Sequence, residues 1–230
     1  MGKDKLKRFA EIETFDNVIQ PTAKEALNTS HFLKGKWASD FFNNSNPIIL
    51  ELGCGKGEYS VNLAKLYPDI NFIGIDIKGS RMWLGAKEAI NEGIKNVGFL
   101  RTRIEWIESF FAEDEISEIW ITFPDPQLHR KREKKRLTSP LFLNSYRKML
   151  KEEGIIHLKT DNRELHNYTL EILKYNKAQI IESTNDLYNS DLQSPILSIK
   201  TFYEKKFLID NIKITYIKFR INKELISLAK

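Results

Sequence analysis

At 230 residues and 41% hydrophobic content, the chain is long enough for one substantial core and short for two catalytic domains, so one domain with extensions is expected. The single cysteine, Cys54, excludes an intramolecular disulfide and a multi-cysteine metal site; no metal is implied, and a reducing setting follows. The charged amino terminus lacks the apolar centre of a signal peptide, no stretch approaches a bilayer span, and the net charge of +5 is modest, so the expectation is a soluble, cytoplasmic protein.

Residues 1–46 mix acids and bases without periodicity and read as an arm that orders only against a partner or the body of the protein. Residues 47–230 carry the domain. Ile48-Ile49-Leu50 is a buried-strand run, after which Tyr59, Leu63 and Leu66 recur at helical spacing until Pro68. Residues 71–76 read as a second strand, followed by a helix with Met82, Ala86, Ala89 and Ile90 on one face and Gly93 at its close. Further strands fit 97–100, 116–123 and 154–159, with helices over 103–111 and 140–150. This alternation predicts an α/β, doubly wound, Rossmann-like sheet whose ligand edge lies at the carboxyl ends of the strands. The alternation Ile212, Lys213, Ile214, Thr215 adds an antiparallel carboxyl-terminal strand, with a bulge expected where it slips at Tyr216-Ile217.

Glu51-Leu52-Gly53-Cys54-Gly55-Lys56-Gly57 follows the first of these strands and opens a helix. Its G-x-G-x-G spacing departs from the G-x-x-G ending that faces a pyrophosphate, and Glu51 would repel a pyrophosphate while meeting an ammonium or sulfonium. S-adenosylmethionine fits that loop. Asp76 closes the second strand, where an acid accepts ribose hydroxyls. Taken alone, the glycines also fit a tight strand-to-helix turn. Cys54 reads as a small side chain in a crowded loop with nothing to activate it.

The fourth strand ends in Thr122-Phe123-Pro124-Asp125-Pro126, with Asp125 expected at the carboxyl edge beside the transferable methyl. Between His129 and Arg136 follow six Lys or Arg residues around Glu133. A carboxylate for base donors beside cations for a phosphate backbone suits nucleic acid; the alternatives are an Asp-Pro turn and a solvated charged loop.

With this motif the chain resembles the tRNA (guanine-N7)-methyltransferase family. The similarity spans residues 47–220: ELGCGKGEY, FIGIDI, FPDP with its basic tail, Lys159-Thr160-Asp161, and Thr201-Phe202-Tyr203-Glu204 before Lys205-Lys206-Phe207. The resemblance implies a seven-stranded class I methyltransferase fold, S-adenosylmethionine as cofactor, and a target guanine in the variable loop of tRNA. It puts Glu51, Gly53, Gly55, Gly57, Asp76 and Asp125 at or near the cofactor, with Asp125 also catalytic. Asp161, Thr201, Phe202, Tyr203 and Glu204 would hold the guanine, and His129, Arg130, Lys131 and Arg132 the RNA. RNA is then the partner that would order the arm; no protein partner is required, and a monomer or a homodimer both fit. Three positions depart from the family: Gln127-Leu128 replaces Trp-Pro, His129 replaces a Lys, and Arg103 stands where an acid contacting adenine is expected.

Guanine N7 carries an exposed lone pair, so no base need remove a proton before it attacks the methyl. Asp125 or Asp161 accepting from guanine N1 and N2 would position the base and stabilise its developing positive charge. An enzyme acting on an exocyclic amine is the alternative, although Asp125-Pro126-Gln127-Leu128 lacks the second proline and aromatic of that motif. A non-catalytic RNA-binding protein with the same fold is another. The scattered His31, His157 and His166 lack metal spacing, His157 reads as a packing residue, and Trp83, Trp106 and Trp120 read as core.

Overall fold

The computed structural model describes residues 2–27, 30–192 and 194–228. They form two compact units, Met1–Ala112 and Glu113–Lys230.

The first unit runs α1 (Gly2–Ile12), β1 (Val18–Ile19), α2 (Ala23–Leu27), β2 (Ile48–Leu52), α3 (Glu58–Leu66), β3 (Asn71–Ile75), α4 (Gly79–Asn91) and β4 (Val97–Leu100). Its strands are parallel in the order β1-β4-β3-β2. Every residue of β2, β3 and β4 is buried, which is why these strands read as unbroken apolar runs. Tyr59 and Leu63 of α3 and Met82, Ala86 and Ala89 of α4 face the core; Leu66 and Ile90, expected there, stay 45% and 46% exposed. Helix α4 closes as expected at Gly93 (φ +68), whose amide bonds the Ile90 carbonyl while the Ile94 amide reaches Ala89.

The amino-terminal segment packs on this unit. Val18 and Ile19 pair with Phe99 and Leu100, and Glu11 accepts from Trp83 Nε1 (2.9 Å) and Lys87 Nζ (2.6 Å). Trp37 is fully buried, donates to the Phe110 carbonyl at 2.8 Å and stacks on Phe111. The helix expected over 103–111 is a 3-10 stretch, Ile104–Ser109.

The second unit runs β5 (Ile116–Thr122), α5 (Pro140–Met149), β6 (Leu150–Thr160), α6 (Arg163–Tyr175), β7 (Gln179–Thr184), α7 (Phe202–Ile209) and β8 (Thr215–Arg220). The order is β5-β6-β8-β7, with β5 and β6 parallel and β8 antiparallel to both its neighbours. The class read from the sequence therefore holds: α/β, mostly parallel, with an antiparallel carboxyl-terminal strand. The described residues hold eight strands rather than seven, the short β1 included.

The expected bulge at Tyr216-Ile217 is absent. Pairing of β8 with β6 is continuous there; the extra residue lies in β7, between Ile180 and Glu182. Thr215, Tyr216 and Ile217 are buried in succession, so the alternation slips because both faces are covered, not because the strand kinks. Trp120 and His157 stack in parallel at 3.8 Å and are core, as expected, whereas Trp83 and Trp106 are only part-buried. Register places Thr122 beside Lys159, so the loops after β5 and β6 leave the same edge.

Candidate cofactor and substrate half-sites

In the first unit the amides of Gly53 and Cys54 both donate to the Ile75 carbonyl, tying the glycine loop to the end of β3. Gly53 and Gly55 sit at φ +77 and +56, where a side chain is strained, and no atom lies within 4 Å of a Cβ added to Gly53. This is an open cradle bounded by backbone. Gly57 differs: a Cβ there would meet Phe99 at 2.6 Å and the Gly85 Cα at 3.3 Å. Gly57 lets the start of α3 pack on α4 and β4.

Asp76 leans over the cradle, accepting from the Gly55 amide at 2.9 Å and the Lys78 amide at 2.7 Å, one bond to each oxygen. An ionised carboxylate has about four acceptor sites, so a diol can still be received. Glu51 is buried in β2, and its Oε2 accepts from the amide and the hydroxyl of Ser60 at 2.9 and 2.6 Å, which fixes the first turn of α3. Burial, then the charges of Glu51 and Asp76, push the Cys54 thiol well above its ordinary value. The carboxylates of Glu51 and Asp76 beside the cradle favour a cationic ligand over a pyrophosphate, and the raised thiol makes Cys54 a poor nucleophile.

In the second unit Phe123 and Gln127 both have positive φ, 48 and 47, a strained backbone for non-glycine residues. Between them Asp125 is exposed and forms an Asx turn, its Oδ1 accepting from the Gln127 amide at 3.1 Å. The loop is clamped from the far end of the basic run. Arg136 Nε donates to the Pro126 carbonyl at 3.1 Å, its other arm pairs with Glu164 at 3.0 Å, and its plane lies over Tyr168. Arg136 is only 6% exposed, so five of the six cations, Arg130, Lys131, Arg132, Lys134 and Lys135, face solvent, with His129 exposed before them. Charge runs give no hint of which member turns inward.

Asp161 follows β6, half-buried, and burial raises its carboxyl above the ordinary Asp value. Asn162, next in the chain, caps α6, accepting from the Leu165 amide at 2.8 Å. Thr201 and Glu204 form a reciprocal capping box on α7. Glu204 is fully buried, pairs with Lys159 Nζ at 2.7 Å and accepts from the Tyr188 hydroxyl at 2.6 Å. Direct contact of Glu204 with a base is therefore corrected to a supporting role, because no face of it reaches solvent. Phe202 and Tyr203, in contrast, are exposed by 37% and 42%.

Lys159 organises this half-site. Besides Glu204, its ammonium donates to the carbonyls of Leu197 (2.9 Å) and Ile199 (3.0 Å), so all three hydrogens have acceptors. Sequence reasoning passed over it, although a lysine inside IIHLKT needs a buried partner. Gln127-Leu128 leaves Leu128 half exposed, and Arg103 lies over Trp106.

A family model described as "Putative methyltransferase" matches residues 45–216. The chain is 53% identical over 221 residues to a tRNA (guanine-N(7)-)-methyltransferase of Christiangramia forsetii, covering 96% of this chain and 99% of that protein. It is 52% identical over 224 residues to one of the same name from Bacteroides thetaiotaomicron, covering 97% and 88%. A solved "antibiotic related Methyltransferase" superposes with a TM-score of 0.57 over 79% of this chain and 90% of that one, at 17% identity, a likeness of fold alone.

Proposed function

The chain belongs to the tRNA (guanine-N(7)-)-methyltransferase family, enzymes that methylate N7 of guanine in tRNA with S-adenosylmethionine, and we propose how its own residues divide that work. The observation that carries the reading is the 53% identity along 96% of the chain. The target guanine is in the variable loop, the setting is the cytoplasm, and the base leaves its tertiary pairing to be methylated.

The open glycines and the carboxylates of Glu51 and Asp76 beside them fit S-adenosylmethionine, which would supply an electrophilic methyl on a sulfonium. Gly53 and Gly55 leave room for it, Asp76 accepts from its ribose hydroxyls, and Glu51 contributes charge opposite its cationic end. Asp125, which also borders the cofactor, and Asp161 accept from guanine N1 and N2 and hold N7 in line. Burial leaves the Asp161 carboxylate short of solvation, so it gains from a donor on a ring that is becoming positive. No residue has to move a proton before transfer. Phe202 and Tyr203 offer exposed rings to the base. His129, Arg130, Lys131 and Arg132 meet the backbone, so binding weakens by roughly 0.7 log units per log unit of salt for each single-strand phosphate contact.

Purified protein, methyl-labelled S-adenosylmethionine and unmodified tRNA transcripts, digested and analysed by mass spectrometry, should give labelled 7-methylguanosine. A different methylated nucleoside, such as an exocyclic N-methyl product, would overturn the reading. Asp125→Ala should lose turnover while melting like the parent; unchanged turnover removes Asp125 from the mechanism.

A further inference from the structure

Within the second unit, the loop that leaves β5 is anchored along its whole length. The Phe123 amide donates to the Lys159 carbonyl at 2.8 Å, and the Phe123 ring lies 5.8 Å from that of Phe207 in α7. Arg136 holds the Pro126 carbonyl, and the Gln127 amide is tied to Asp125 Oδ1. Gln127 is thus presented beside Asp125 by fixed backbone, at a φ of 47 that strains a non-glycine residue.

The side chain of Gln127 is the incomplete part of this loop. Gln127 is half-buried, and its Oε1 is shut away from solvent with no hydrogen-bond partner among the described residues. An unpaired buried acceptor is costly in the free protein, and a donor brought by the substrate relieves it. The last torsion of a glutamine is soft, so Oε1 turns toward such a donor without giving up a bond.

Guanine supplies the complement. A base taken out of its pairing is read along its Watson–Crick edge, where guanine sets the acceptor O6 beside the donor N1–H, followed by the N2 amine. Asp125 and Asp161 only accept, and all three hydrogens of Lys159 have acceptors, so none of these groups meets O6. Among residues 123–128, Gln127 alone carries a side-chain N–H. A carboxamide sets a donor beside an acceptor, as O6 and N1–H require.

We propose that Gln127 is a specificity-determining residue that touches the target base, with Nε2 donating to guanine O6 and Oε1 accepting from N1. The hydrogens of N2 are then left to the carboxylates. Gln127 stands where the resemblance implies a tryptophan, so a stacking ring is exchanged for hydrogen bonds to the base edge. The inference rests on the reading that Asp125 and Asp161 face the guanine.

Single-turnover methylation by the full chain tests it, with tRNA transcripts whose target guanine is kept or replaced by 2-aminopurine, which retains the N2 amine but lacks O6 and the N1 hydrogen. The parent should be about 10- to 100-fold slower on 2-aminopurine, the worth of one bidentate pair. Gln127→Met should lose the same factor on guanine, match the parent on 2-aminopurine, and melt no lower than the parent, since the unpaired acceptor is gone. Equal losses by Gln127→Met on both transcripts would make Gln127 a structural part of the loop and overturn the proposal. So would a parent-like rate on guanine, or a melting temperature several degrees below the parent. A parent that methylates both transcripts equally fast, or 2-aminopurine more than about a thousandfold slower, also overturns it, the second because a charged group would then read that edge. If the parent gives no 7-methylguanosine from the guanine transcript, the underlying reading falls first.

Discussion

Replacing Lys159 by Met would leave Glu204 buried without its cation. Both side chains are 0% exposed at a separation of 2.7 Å, and the same ammonium holds the carbonyls of Leu197 and Ile199 at 2.9 and 3.0 Å. Burial pulls Lys159 below the ordinary lysine value even though Glu204 pulls the other way, so desolvation dominates the site. Removing one partner of such a pair costs about 3–5 kcal/mol, because the charge left behind stays out of water. At about 2–4 °C per kcal/mol for a chain of this size, Lys159→Met should melt roughly 10 °C below the parent. Lys159→Met with Glu204→Leu removes both charges and should recover most of that loss, giving a coupling of about 2 kcal/mol or more in a double-mutant cycle. The same double variant should still bind S-adenosylhomocysteine yet methylate tRNA poorly, since residues 197–199 and the start of α7 lose their anchor. Thermal and urea unfolding of the four proteins decides it. A single variant melting within about 2 °C of the parent, or no coupling in the cycle, would refute the claim that this pair holds the half-site together.

Gly57→Ala forces a Cβ onto Phe99 at 2.6 Å at φ +75 and should cost about 2–4 kcal/mol, whereas Gly53→Ala meets no atom and should cost about 1–2 kcal/mol of stability. Calorimetry should show Gly53→Ala as the variant that loses S-adenosylhomocysteine; the reverse ranking would undo the separation of cradle from packing glycine. His166 is fully buried, and burial, aided by Arg163, lowers its pKa from 6.5 to about 4. Between those values the unfolded chain holds the extra proton, so stability is complete above pH 6.5 and falls by about 3 kcal/mol as the pH drops to about 4. Urea unfolding of His166→Leu should lack that acid-side loss, and an unchanged pH profile would assign it elsewhere. Arg136→Ala frees the Pro126 carbonyl and should lower kcat about 10- to 100-fold through misplacement of Asp125, with S-adenosylhomocysteine affinity unchanged. Arg136→Lys should not restore it, because an ammonium cannot span Pro126 and Glu164 as the planar fork does; kcat at the parent's level would show the clamp to be dispensable.

Periodic burial explains most of what was legible. Strands β2, β3 and β4 are covered on both faces and announce themselves as apolar runs, and Gly93 and Pro68 mark where helices stop. The bulge expected in β8 failed for the same reason: a period-two pattern exists only where one face is wet, and Thr215, Tyr216 and Ile217 are buried in succession. Helix edges failed at Leu66 and Ile90, where apolar spacing continues past the stripe that actually packs.

The amino-acid sequence by itself determined the class of fold, the glycine cradle with Glu51 and Asp76 about it, and the position of Asp125 before a basic run, because those depend on residue type at short spacing. Only the tertiary structure decided that Gly57 packs against Phe99 and Gly85, that Arg136 leaves the cationic array to clamp a carbonyl, and that Glu204 pairs with Lys159. Each of these is a choice between partners distant in sequence. Burial makes that choice, since a polar group removed from water must take whichever partner the fold brings within hydrogen-bonding reach.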